Sequence, residues 1–187
     1  MDIPVLNHEL ADDELTWVRE VYADFAAART ASPSTKPREI LREVLGRPQH
    51  ALPQPIDLTG DGVWRGGRNQ HGRLVAAVFL PTVELHTHLA SRTDQFPMYV
   101  AGEAEGFALD EAGRGYLEPV VGGGHFHNPP GAHHAFVPKT GQAVPADWEI
   151  AFIAITPRNL REDTHAVPDS VKREYERVVG RPAPTRV

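Results

Sequence analysis

Two short histidine-containing segments constrain the fold of this chain more than any other feature. They are E-L-H-T-H at 84–88 and N-P-P-G-A-H-H at 128–134. On a β-strand, His86 and His88 would leave the same face, because alternate residues share a face. Two imidazoles aimed at one point need a third ligand from elsewhere, and His134, just after a tight Pro-Gly turn, can supply it. The pattern predicts a mononuclear metal site in a β-barrel.

Composition narrows the function classes. The 187 residues include ten histidines and no cysteine, which excludes disulfides, thiolate catalysis and Cys-ligated zinc or iron–sulfur centres. The net charge of −6, with Arg and Lys scattered along the chain, argues against nucleic acid as the main ligand. No stretch approaches the ~20 apolar residues that cross a bilayer, and the acidic start lacks a secretory pattern. We therefore expect a cytoplasmic protein without a membrane partner.

Helical signals lie at both ends of the chain. Apolar periodicity and capping signals predict helices at 9–30, 37–45 and 167–179. Asp12 or Asp13 is the expected cap of the first helix, and Asp169 or Ser170 that of the last, which Gly180 ends. The proline-rich connector at 47–55 is predicted to be non-helical.

Between the helices the sequence is typical of an all-β unit. From Ile56 onward, short apolar runs alternate with Gly, Pro, Asn and Asp, which favours a sandwich or small barrel. Strands are predicted at 73–80, 83–88, 97–101 and 149–156. We expect a helical N-terminal extension at 1–50, a barrel at 51–160, and a C-terminal helix and tail at 161–187.

The two histidine segments resemble the motifs of the cupin superfamily. The first motif, G-x5-H-x-H-x3,4-E-x6-G, is similar to His86-x-His88 followed by Gln95 and, after six intervening residues, Gly102. The second, G-x5-P-x-G-x2-H-x3-N, matches this chain from Gly123 to His134. The sequence around His134 also resembles that of cupins of the ChrR type.

The resemblance implies a mainly β protein with a jelly-roll barrel, N-terminal helices and a C-terminal helix. It also implies a ligand set of His86, His88, His134 and, at the family's glutamate position, Gln95. This chain departs from the motifs at Leu80 and Pro138 as well, which replace a glycine and an asparagine. Ligand and outer hydrogen-bonding roles stay open for Gln95, and its neighbour Asp94 is a competing oxygen donor.

The glutamine has an electrostatic consequence. A glutamate would leave a divalent site with a charge of +1, whereas neutral histidines and an amide leave it at +2, a stronger Lewis acid that attracts anionic, chelating substrates. Fe(II) is the expected metal, with Mn, Zn and Ni as alternatives, because cupins with such ligand sets include iron dioxygenases and a manganese-dependent hydroxynitrile lyase.

Three residues are candidates for moving protons. Glu84 precedes His86 by two residues and is expected inside the barrel, as a general base or substrate contact. Tyr99, four residues beyond Gln95, could face the barrel. His127 forms a second His-x-His pair with His125, for which an acid–base role, a rival ligand role and a surface position all remain open.

These features lead to three functional hypotheses. The first is a mononuclear non-haem Fe(II) oxygenase, a dioxygenase in the family's terms, acting on a small chelating or anionic organic substrate. The second is a redox-neutral metal-dependent lyase or isomerase. The third is a non-catalytic, metal-binding sensor of the ChrR type. A homodimer is compatible with all three.

Overall fold

The computed structural model describes residues 9–81, 83–144, 146–158 and 162–184. The described helices are α1 (Asp12–Ala31), α2 (Pro37–Leu45) and α3 (Asp169–Val179), with a 3-10 turn at Pro48–His50. The strands are β1 (Val63–Arg68), β2 (Leu74–Leu80), β3 (His86–His88), β4 (Thr93–Val100), β5 (Ala104–Leu109), β6 (Gly115–Val120), β7 (Phe126–Asn128), β8 (His133–Pro138), β9 (Ile150–Thr156) and β10 (Thr164–His165).

The strands form two five-stranded antiparallel sheets. One has the order β1-β2-β9-β4-β7, and the other has the order β10-β3-β8-β5-β6. Along the chain, β2, β4, β7 and β9 go to the first sheet while β3, β5, β6 and β8 go to the second, so the chain crosses repeatedly between them. This interleaved order is that of a jelly roll, which confirms the predicted fold class.

The two sheets carry their helices on opposite sides of the barrel. Helices α1 and α2 pack on the outer face of the first sheet, where Val21, Phe25 and Leu41 join Ala77 and Ile153 in one buried cluster. Helix α3 packs on the second sheet in a separate cluster. No helix within the described parts of the chain is long and apolar enough to cross a membrane.

The helix predictions need small corrections at their ends. The segment predicted at 37–45 is confirmed as α2, and the other two helices begin two or three residues later than predicted. The expected caps Asp12 and Asp13 lie inside α1, whose cap is Ala11. Similarly, Asp169 and Ser170 lie inside α3, which Pro168 precedes. The proline connector contains the 3-10 turn, because prolines suit the first turn of a helix.

The strand predictions missed several elements. The segment 83–88 is a strand only at His86–His88, and 97–101 belongs to a strand that starts at Thr93. Thr93, Asp94 and Gln95 are buried although polar, so the apolar pattern misses the start of β4. The strands whose bounds the sequence did not predict are β1, β5, β6, β7, β8 and β10. The domain boundaries at 1–50, 51–160 and 161–187 stay predictions.

A buried carboxylate joins α1 to the barrel. The side chain of Glu14 is fully buried and accepts the backbone N–H of Ala11 at 2.8 Å. It also accepts the side-chain amide of Asn69 and forms an ion pair with Arg73 at 3.1 Å. Asn69 and Arg73 flank the β1–β2 turn, so this one carboxylate fixes the start of α1 against the first sheet.

We predict that Glu14→Ala destabilises the fold by about 3 kcal/mol, because it leaves Arg73 and Asn69 without their buried partner. Chemical denaturation followed by circular dichroism measures the free energy of unfolding. Glu20→Ala, at an exposed position of the same helix, is the matched control and should change it by less than about 0.5 kcal/mol. Equal losses of stability in Glu14→Ala and Glu20→Ala would contradict the role assigned to the Glu14 carboxylate.

Candidate metal centre

Three histidines converge on the inner side of the second sheet. His86 and His88 lie on β3, and His134 lies directly opposite His86 on the neighbouring strand β8. One ligand nitrogen from each ring lies within 4.8 Å of the other two. The Nε2 atoms of His86 and His88 are 3.1 Å apart, close enough to contact a single ion.

Backbone carbonyls orient all three rings. The Nδ1 atoms of His86, His88 and His134 donate to the carbonyl oxygens of Glu84, Asp163 and Ala132, at 2.6, 3.0 and 3.3 Å. A carbonyl can only accept, so each Nδ1 carries the proton and each Nε2 keeps its lone pair. Such carbonyl contacts fix the tautomer and ring direction of metal-binding histidines.

Burial favours the neutral form of His88 and His134. Desolvation, reinforced by the neighbouring His86, lowers the pKa of His88 to about 4. Desolvation, together with His86 and His88, also lowers the pKa of His134 well below its usual value. A neutral imidazole is the form that binds metal.

One atom tests whether a metal fits. The Nε2 of His134 is buried and has no hydrogen-bond partner among the residues that the structure describes. An unsatisfied buried acceptor is costly unless something outside the protein contacts it. Three neutral nitrogens with their lone pairs on one point fit a divalent ion of the Fe, Mn, Ni or Zn type.

The centre opens into a cavity of about 780 Å³ between the two sheets. His86, His88 and Gln95 line it together with Glu84. Gln95 comes from β4 of the opposite sheet, and its Oε1 accepts the side-chain amide of Asn128 at 3.4 Å. The structure therefore brings Glu84 and Gln95 to the same cavity as the histidines.

Tyr99 lies elsewhere. Its ring packs against the cluster beneath α1 and α2, and the guanidinium of Arg29 lies 5.3 Å from the ring centre. The pairing of β4 with β9 shifts between Pro97 and Tyr99, which indicates a bulge. Because a bulge inserts one residue, Tyr99 does not share the face of Gln95, as strict alternation had predicted.

His127 and His125 also lie away from the cavity. His127 is exposed and pairs with Asp94 across β7 and β4. His125 bonds to the Asp94 carboxylate at 2.8 Å and stacks on Phe96 at 4.4 Å. This group belongs to the face of β4 opposite Gln95.

The competing oxygen donor Asp94 is thus already engaged. Arg92 donates to both of its oxygens at 2.9 Å, in addition to the contact with His125. Burial raises the pKa of Asp94, but the bonds from His125 and Arg92 outweigh it and lower the pKa. Between the two candidate oxygen donors, only Gln95 lines the cavity.

Sequence reasoning missed three contributors to the site. Asn128 contacts Gln95, Asp163 supplies the carbonyl that orients His88, and Thr164 lines the cavity. Strand alternation would have pointed Asn128 inward had β7 been predicted. No local pattern marks Asp163 or Thr164, because β10 pairs with β3 across a long sequence separation.

The interleaved strand order and the placement of a His-x-His pair on β3 opposite a histidine on β8 decide the architecture. The chain has a jelly-roll fold, the fold that its resemblance to cupins implied. No protein-family model matches the sequence, nor does any curated protein.

Among solved structures, the chain is similar to an oxalate oxidase, at 22% identity and a TM-score of 0.38 over 49% of this chain and 44% of that one. A structure of oxalate decarboxylase gives 17% identity and a TM-score of 0.41, covering 62% and 30%. One of Bacillus subtilis oxalate decarboxylase, concerned with its Mn(II) centres, gives 19% and 0.39, covering 67% and 35%. The chain spans between 30% and 44% of the length of these three.

We predict that His134→Ala lowers the affinity for Zn(II) by more than about 100-fold, because it removes one of three converging nitrogens. Competition with a chromophoric chelator measures the affinity of the purified protein. His127→Ala removes an exposed histidine from the neighbouring sheet face and should leave the affinity unchanged. A similar loss in both variants would exclude the three-histidine site.

Proposed function

We propose that this chain is a metal-dependent enzyme of the cupin type. Its activity is that of a mononuclear non-haem Fe(II) oxygenase, and it acts on a small, chelating organic substrate. One observation carries the proposal: three oriented imidazoles converge beside a cavity that can admit an organic molecule. Enzymatic metal sites keep positions open for substrate, and a three-histidine set does so.

When bound, the ion would supply Lewis acidity and, as iron, redox chemistry with O₂. The chain's own residues do the rest. The carbonyls of Glu84, Asp163 and Ala132 hold the three rings, and the walls of the barrel exclude bulk water. With no carboxylate among the three histidines, the centre keeps a +2 charge that favours an anionic substrate.

Proton transfer is assigned to Glu84. Glu84 lines the cavity beside His86, whereas Tyr99 packs beneath the helices and His127 is exposed. A carboxylate within reach of a bound substrate can accept a proton that the substrate loses as it binds or reacts. Glu84 is therefore the candidate general base among the three residues that the sequence suggested.

We further propose that Gln95 is a fourth ligand. It lies on the sheet opposite the three histidines, lines the same cavity, and is fixed by the amide of Asn128. An amide oxygen is a weaker donor than a carboxylate, but it leaves the charge of the site unchanged.

The ligand role predicts opposite effects of two substitutions. Gln95→Glu should raise the Mn(II) affinity by about tenfold, because a carboxylate adds charge attraction, and Gln95→Ala should lower it by about tenfold. Calorimetric titration with Mn(II) measures both. Asn128→Ala, which leaves the Gln95 side chain in place, is the control and should have a smaller effect than Gln95→Ala. If neither Gln95 variant changed the Mn(II) affinity, Gln95 would be a hydrogen-bonding residue and not a metal ligand.

The three histidines and Glu84 also favour a redox-neutral lyase or isomerase as the second candidate function, because a +2 metal centre next to Glu84 pairs a strong Lewis acid with a base.

Two measurements separate the oxygenase from the lyase or isomerase. The first is metal analysis of protein purified without chelators, and the second is an oxygen-electrode assay with 2-oxo acids, 2-hydroxy acids and catechols. We expect oxygen uptake with Fe(II) and none with Zn(II). Turnover without oxygen uptake, under Zn(II) or Mn(II), would replace the oxygenase by the lyase or isomerase.

A further inference from the structure

The strand β2 presents different apolar residues to the two sides of its sheet. Val75, Ala77 and Phe79 are fully buried in the cluster beneath α1 and α2. The alternate residues are only half-buried and line the cavity instead: Leu74, Ala76, Val78 and Leu80. β2 therefore carries an aliphatic surface that no part of the described protein covers completely.

Neighbouring elements extend this surface. Phe152 and Ala154 of β9 line the same cavity, as do Pro81 and Val83 after β2. Apolar surface is stabilised by removal from water, so a wall of this kind favours an apolar occupant. The cavity volume of about 780 Å³ also lies within the range of pockets that bind drug-sized ligands.

The polar lining is confined to a few groups. They are Glu84, His86, His88, Gln95, Thr156 and Thr164, and Arg65 of β1 is a further lining residue. The Arg65 side chain is exposed and forms no ion pair with any residue in the described part of the chain. A guanidinium with no carboxylate partner matches the carboxylate of an organic acid.

We propose that the cavity binds an organic acid with an aliphatic or aromatic body of several carbons. This inference rests on the proposed function, because the oxygens of the acid are placed at the metal centre. The apolar body lies along β2 and β9, and Arg65 contributes positive charge that favours the anion. The substrate class is thus larger and more apolar than a two-carbon or three-carbon acid.

Binding of a homologous series to the Zn(II)-loaded protein tests this without requiring turnover. Pyruvate, 2-oxohexanoate and 2-oxo-octanoate share one chelating head and differ only in tail length. We expect calorimetric affinities to rise about tenfold from pyruvate to 2-oxohexanoate, and further to 2-oxo-octanoate, because each added methylene leaves water.

Two cavity variants should flatten this dependence on tail length. Ala76→Phe fills the space beside β2, and Val78→Thr keeps the shape of the wall but makes it polar. Each is expected to remove at least about half of the affinity gained between pyruvate and 2-oxo-octanoate, on the logarithmic scale. Ala112→Phe adds the same ring at an exposed turn and should behave as the wild-type protein does.

Arg65→Gln should act differently, weakening all three acids by a similar factor of about threefold. Arg68→Gln is its control, because Arg68 is exposed on the same strand and donates to the carbonyl of Gly72 outside the cavity lining. Affinities independent of tail length, with one Zn(II) bound per chain, would overturn the inference and leave the metal site intact. Failure to bind Zn(II) would overturn both the inference and the proposed function.

Discussion

The pairing of β3 with β8 is the contact on which the site depends. It places His86 directly opposite His134, and the two-residue repeat of β3 adds His88 on the same face. A shift of one residue in this pairing would turn His134 toward the other side of the sheet. The register of two short strands therefore decides whether three imidazoles can meet.

That register is supported from both sides. β10 pairs with the other edge of β3, and the carbonyl of Asp163 next to β10 orients His88. Helix α3, which follows β10, packs on the same sheet with Leu85, the residue before His86. The C-terminal helix thus packs against the strand that carries two of the three converging histidines.

The first sheet has a complementary role. Its outer face is covered by α1 and α2, which leaves its inner face available as a wall of the cavity. The bulge in β4 divides its residues between these faces, sending Gln95 inward and Tyr99 toward the helices. The first sheet thus supplies both an apolar wall and Gln95, and the opposite sheet bears the three histidines.

The sequence by itself determined the jelly-roll fold class, the helix at 37–45 and the three histidines. These follow from local patterns: helical periodicity, the alternation of a strand, and two motifs whose spacing resembles that of cupins. It also marked Glu84, from the alternation expected of a strand, and Gln95, from the spacing of the resembled motif, and both line the cavity with His86 and His88.

Only the tertiary structure decided where Tyr99 and His127 point, that Asp94 is held by Arg92 and His125, and that Asn128 contacts Gln95. A bulge changes which face a residue occupies, and its place depends on the partner strand rather than on local sequence. The cavity wall is likewise formed by β2 and β9, which are distant in the sequence and adjacent only after folding. Long-range pairing, which no local pattern encodes, therefore decides what surrounds the metal centre.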